Sequence, residues 1–155
     1  EVSFYEKHQV PCEFVGHPLL DELDPKYFDA GYKKMHRNRC GIQDHEIVLG
    51  LMPGSRRLEL KNHFPQQLRV AAELMRKHPD LRLLILCAPT IEKDLILSYM
   101  EDFRFPFQLL RNDPYEMIHL TDLMLAASGT ATLQVGLLEK PMVIMYRMSA
   151  MTAVF

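Results

Sequence analysis

The chain has 155 residues, 48% of them hydrophobic and 25% charged, which suits one globular domain with a real core. Its formal net charge of −2 supplies no global basic field and argues against nucleic acid as a partner. Three widely spaced cysteines without a CxxC pair, seven histidines without HExxH or HxH, and no apolar run near the roughly 20 residues of a membrane helix argue against a disulfide framework, a metal centre and a membrane span.

The opening residues mix charge with aromatics (Phe4, Tyr5) and do not read as a signal peptide. Residues 10–15 suggest a short strand, broken at Gly16-His17-Pro18, where the proline pushes His17 out of the helical region. Residues 21–44 are polar and charge-mixed, with Pro25 and Gly31. They read as a connector with one short helix near 32–39, and Lys33-Lys34 with Arg37 and Arg39 form a local basic cluster. Residues 1–45 are therefore taken as a connector segment and 46–155 as the main domain.

From residue 46 the pattern becomes regular. EIVLGLM (46–52) is strand-like and ends at Pro53-Gly54, and residues 58–75 carry apolar side chains at helical spacing despite Pro65. Residues 81–88 (LRLLILCA) read as a second buried strand, 91–100 as a helix, 105–110 as a short strand and 114–120 as a helix. Residues 123–127 are a further strand, followed by a helix from Thr130 and a last strand at 142–146. Strands alternating with helices predict an α/β fold, a Rossmann-like, doubly wound parallel sheet. In such a sheet the turns at 53–57, 88–90, 110–113 and 127–130 share one edge, where ligands bind in open α/β folds.

Two of those turns carry chemistry. In Pro53-Gly54-Ser55-Arg56-Arg57, Gly54 permits close backbone approach, Ser55 offers a hydroxyl, and Arg56 can grip a phosphate with paired donors. The plainer alternative is a strand-to-helix turn with Ser55 as N-cap and Arg56 solvated. Glu59 lies where it can complete a capping interaction or orient Arg56. Ser128-Gly129-Thr130 repeats the arrangement at a second strand end, where unpaired N–H groups and the helix dipole favour an anion. Two such turns on one sheet edge suit a diphosphate. Walker A and GxGxxG patterns are absent. Gln134, one turn beyond Thr130, can reach ribose hydroxyls or simply face solvent, and His17 can serve as acid, base or donor or be structural. The ten methionines read as core filler.

Together FVGHPL (14–19), MPGSRR with Glu59 (52–59), LAASGTATL (125–133), KPMV (140–143) and Tyr146-Arg147 resemble the lipid-A-disaccharide synthase family, over nearly the whole chain. The resemblance implies the C-terminal half of a GT-B glycosyltransferase, with the acceptor domain and the last helices missing. The lack of an initiating Met and the apolar end at Met151-Thr152-Ala153-Val154-Phe155 agree with a piece of a longer protein. It implies transfer of 2,3-diacylglucosamine from UDP-2,3-diacylglucosamine to 2,3-diacylglucosamine 1-phosphate with inversion, giving a β(1→6) disaccharide and UDP. Arg56 would stabilise the leaving group. Gly54, Ser55, Glu59, Ser128, Gly129, Thr130, Gln134 and His17 would bind substrate, and the general base would lie outside this chain. No metal or other cofactor is implied. The family usually has Glu where this chain has Gln134, which costs a charge-assisted bond to ribose. The location implied is cytoplasmic, peripheral to the inner membrane, with a homodimer left open. Another UDP-N-acetylglucosamine enzyme of GT-B or epimerase type, or a non-catalytic nucleotide-binding module, are the alternatives.

Overall fold

A computed structural model describes residues 2–111 and 113–147. The apolar run Met151 to Phe155 and the Asn112 position of the third turn lie outside the described residues.

Five parallel strands form one sheet in the order β3-β2-β1-β4-β5: β1 (Ile47–Met52), β2 (Leu81–Leu86), β3 (Phe107–Leu110), β4 (Leu123–Ala127) and β5 (Met142–Met145). Every strand pair is parallel, with Leu51 opposite Ile85 of β2 and Leu125 of β4, and Ala127 opposite Met145. The apolar runs fix this arrangement. The central strands are covered on both faces, so consecutive residues are buried rather than alternate ones.

Alternation decides which residue meets which layer. Leu49, Leu51, Leu83, Ile85 and Leu125 pack against α4 (Arg57–Lys77) and α5 (Lys93–Tyr99), through Leu60, Phe64, Leu68, Ala71, Met75 and Ile96. Val48, Leu84, Leu86 and Met124 face the other layer, with Tyr115, Met117 and Ile118 of α6 (Pro114–His119) and Val135 of α7 (Thr130–Leu137). Burying a Leu- or Phe-sized side chain contributes about 1.5–3 kcal/mol, so these two stripes dominate the favourable side of folding. Pro65 lies inside α4 and removes one backbone bond, and the surrounding apolar stripe holds the helix together regardless.

Three N-terminal features differ from the sequence reading. Val2–Lys7 is a short helix (α1). Residues 10–15 form no strand; they are exposed and pair with no strand, with Phe14 at 78% and Val15 at 89% exposure. An apolar-rich stretch without a neighbouring ladder has nothing to bury its side chains against. The connector also contains α2 (Pro18–Asp21), a 3₁₀ turn (Pro25–Phe28) and α3 (Ala30–Arg39), and its far end belongs to the core: Tyr27 and Ile42 are buried beside Tyr115 and Ile118.

Lys33 and Arg37 of the basic cluster are structural. Asp122 receives Lys33 Nζ at 2.8 Å, Arg37 Nη2 at 2.6 Å and the Val48 N–H at 2.9 Å, which pins α3 to the N-terminal edge of the sheet. Lys34 pairs instead with Asp44. Burial works against the Asp122 charge, but Lys33, Val48 N–H and Arg37 outweigh it and hold the carboxyl below its ordinary range.

Candidate functional site

The strand order reverses direction between β1 and β4, and at such a switch point the loops leaving the two strands diverge and open a crevice. A cavity of about 240 Å³ occupies it. Its walls come from four strand ends: Met52, Gly54 and Ser55 after β1, Leu86, Ala88 and Pro89 after β2, Pro114 and Met117 beyond β3, and Ala127 to Ala131 with Gln134 beyond β4. Glu59 completes the lining.

The two glycines here are different in kind. Gly54 has φ +117°, a region that L side chains avoid, and a Cβ there would sit 2.6 Å from Glu59 Cβ. Local folding alone requires that glycine. At Gly129 the backbone is extended (φ 163°, ψ −174°) and a Cβ would meet nothing within 4 Å. No neighbour demands a glycine there, so its effect is to leave open space at the mouth of α7.

The helix starts also differ. Side chains cap α2 (His17), α3 (Asp29) and α6 (Asp113), whereas α4, α5 and α7 have no side-chain cap. The α7 start, beside exposed Ser128, Gly129 and Thr130, therefore presents first-turn N–H groups with no side-chain partner toward the cavity.

The first turn is more constrained than the sequence suggested. Arg56, not Ser55, is the N-cap residue of α4. Glu59 Oε2 accepts the Ser55 N–H at 2.9 Å and Oε1 accepts Arg56 Nη1 at 3.2 Å. The Ser55 N–H is thus engaged inside the turn rather than offered to a ligand. Thr90 Oγ1 donates to the Ser55 carbonyl at 2.6 Å and ties this turn to the one after β2. Arg56 does not line the cavity; its side chain is 82% exposed at the rim. Its neighbour Arg57 pairs with Glu92, whose carboxyl Arg57 holds below the ordinary range.

His17 stands apart from this cavity. Its Nδ1 accepts the Leu19 N–H at 3.2 Å, which caps α2, and the ring borders a separate apolar groove with Leu20, Leu133, Leu137, Met142 and Ile144. Gln134 is half-buried and on the cavity wall. Pro114 and Met117 carry no chemical signature and were not singled out from the sequence. Their i, i+3 spacing on a helix that starts at a strand end was the available signal. Among the described residues, no three His, Cys, Asp or Glu side chains gather closely enough to hold a metal ion, and no helix is long and apolar enough to cross a membrane. Cys12, Cys40 and Cys87 are unpaired.

Taken together, the site is a mostly apolar slot at the N-termini of α4, α6 and α7, with Arg56 at its rim. That shape suits a flat apolar group deep in the slot and an anion at its mouth.

Comparison with known proteins agrees with this architecture. All of residues 1–155 match the family described as LpxB, lipid-A-disaccharide synthetase. The lipid-A-disaccharide synthase of Nitrosococcus oceani is 33% identical over 98% of this chain and 38% of its own length. Lipid-A-disaccharide synthase 1 of Legionella pneumophila strain Philadelphia is 35% identical over 99% of this chain and 39% of its own. This chain thus spans less than half the length of the curated relatives it matches. Among solved structures, HepE of Anabaena, in complex with UDP and glucose, superposes with a TM-score of 0.53 at 17% identity, over 79% of this chain and 34% of that one, a likeness of fold. The match over its full length and the identity to these relatives place the chain in the lipid-A-disaccharide synthetase family.

Proposed function

We propose that this chain forms the UDP-sugar-binding half of a glycosyltransferase that makes the lipid A disaccharide, with the cavity between β1 and β4 as its donor site. The observation that carries the reading is the convergence of the Gly54-Ser55-Arg56 and Ser128-Gly129-Thr130 turns on one slot at the switch point, in a chain of this family. The uracil enters between Met52, Pro114 and Met117, the ribose lies near Gln134, and the diphosphate reaches the α7 start. Arg56 breaks its exposed pair with Glu59, which costs little, and swings onto the diphosphate. The fold likeness to a protein solved with UDP and glucose is in keeping with this placement.

In the reaction, a hydroxyl of 2,3-diacylglucosamine 1-phosphate attacks the anomeric carbon of UDP-2,3-diacylglucosamine. The bond from that carbon to the β-phosphate oxygen breaks with inversion, and UDP departs carrying the electron pair. This half lowers the barrier by holding donors where negative charge grows on the leaving group. The general base comes from outside residues 1–155, and the acylated substrates place the assembled enzyme at the cytoplasmic face of the inner membrane. Titration calorimetry with UDP and with uridine tests the assignment. UDP is expected to bind more tightly than uridine, because only UDP engages the two turns. Equal affinity for the two, or no heat from UDP at millimolar concentration, contradicts it.

A further inference from the structure

The buried face of α4 carries two polar residues, His63 and Gln67. Gln67 lies among Phe64, Leu68, Ala71 and Met75 and is fully buried, with 0% exposure. Its Nε2 donates to the Met52 carbonyl at 3.1 Å and to the Leu125 carbonyl at 3.1 Å. Those carbonyls belong to two different strands. Met52 ends β1 and directly precedes Pro53-Gly54, while Leu125 lies three residues before Ser128.

The amide therefore spans the seam where the sheet reverses its order. Both protons of one planar NH₂ are used, so a single rigid group is bonded to both carbonyls at the end of the ladder that already pairs Met52 with Ala126. The helix that carries Gln67 also begins at the first turn, so one side chain joins β1, α4 and β4 at a single point. This arrangement has a cost: Gln67 Oε1 is buried without a partner. An apolar side chain of similar volume would not carry that orphaned oxygen, but it would also take the donor away from the Met52 and Leu125 carbonyls. What the amide adds to that ladder is a tie from α4, the helix that begins at the first turn, to both strand ends at once.

We infer that Gln67 is a positioning residue of the donor site, which holds the Gly54-Ser55-Arg56 and Ser128-Gly129-Thr130 turns at the separation a diphosphate needs. This rests on the donor-site reading above. The residue touches no substrate and acts through the two backbones it joins.

Gln67→Met keeps the volume and removes the donors; Gln67→Asn keeps the amide but shortens its reach, and serves if the first variant does not fold. Ile96→Val, a fully buried change on α5 in the same core layer, is the control for lost stability. With all proteins held well below their melting temperatures, Gln67→Met is expected to raise the UDP dissociation constant roughly three- to ten-fold, the loss of about one neutral hydrogen bond. Its uridine affinity and both affinities of Ile96→Val are expected to stay unchanged. Amide hydrogen exchange in the ligand-free chain should accelerate at residues 54–56 and 126–130 in Gln67→Met, while the centre of the sheet stays protected. Unchanged UDP affinity in a folded Gln67→Met, or exchange that rises evenly over the sheet, overturns the inference and leaves Gln67 a stabilising residue only. If the unaltered chain binds no UDP, the donor-site reading fails on its own, and the exchange pattern still decides whether Gln67 holds the turns.

Discussion

Arg56 and Glu59 form a pair that is half solvent: the guanidinium is 82% exposed and the carboxylate 26%. Such pairs are worth little, so the arginine is free to trade one carboxylate for a diphosphate carrying more charge. Arg56→Ala is expected to weaken UDP binding by about 1.5–3 kcal/mol, the range for a hydrogen bond to a charged group, with little change in stability. Calorimetry on the folded variant checks it, and an unchanged affinity removes Arg56 from the site. Glu59 has the opposite character. It is fastened to the Ser55 N–H and packs under Gly54, so its contribution is to the shape of the turn. The sequence placed Glu59 at the right spacing for both bonds. It did not show that making them withdraws the Ser55 N–H from ligand duty, because that depends on which rotamer the carboxylate adopts. Gln67 was hidden for a similar reason: at helical spacing within an apolar stripe, a single amide looks like a tolerated exception until its two carbonyl partners are seen.

At the scale of elements, the strand-to-helix turns separate folding from binding. Gly54→Ala forces a side chain into φ +117° and against Glu59, and is expected to cost on the order of 1–3 kcal/mol in stability by denaturant titration. Gly129→Ala meets neither obstacle and is expected to leave stability within about 0.5 kcal/mol while weakening UDP binding, since its methyl group stands where the ligand would approach the α7 start. A Gly129→Ala protein that binds UDP as the parent does would say that this turn holds nothing. The strands and long helices were legible because burial on both faces leaves uninterrupted apolar runs and an amphipathic helix repeats at three and four. Residues 10–15 show the limit of that logic. A strand exists only with a partner, and pairing is a property of the fold rather than of the stretch. His17 shows another: the same Gly-His-Pro turn serves equally as a functional loop or as a cap, and here its ring closes α2.

Over the whole molecule, the two edges of the sheet divide the labour. The N-terminal edge is locked by Asp122 and by a buried stack in which His119 lies against His36, Tyr27 and Tyr32. Burial, with the neighbouring His36, depresses the His119 pKa from 6.5 to about 4. A histidine kept neutral in the folded state favours unfolding once the unfolded chain can take up a proton. Its stabilising share is therefore complete above pH 6.5 and lost as the pH falls toward about 4. Asp122, held below its ordinary range, extends the loss to more acidic pH. Urea midpoints are expected to fall between pH 6.5 and 4, and His119→Phe is expected to flatten that stretch of the profile. The C-terminal edge, by contrast, keeps its helix starts at α4 and α7 without side-chain caps around a slot. The central claim is that the turns after β1 and β4 close on one diphosphate. Following backbone amide shifts during a UDP titration tests it directly: saturable shifts at residues 54–56 and 129–131 together, with a single dissociation constant, are predicted. Saturation of one turn without the other, or shifts confined to the groove beside His17, would contradict it.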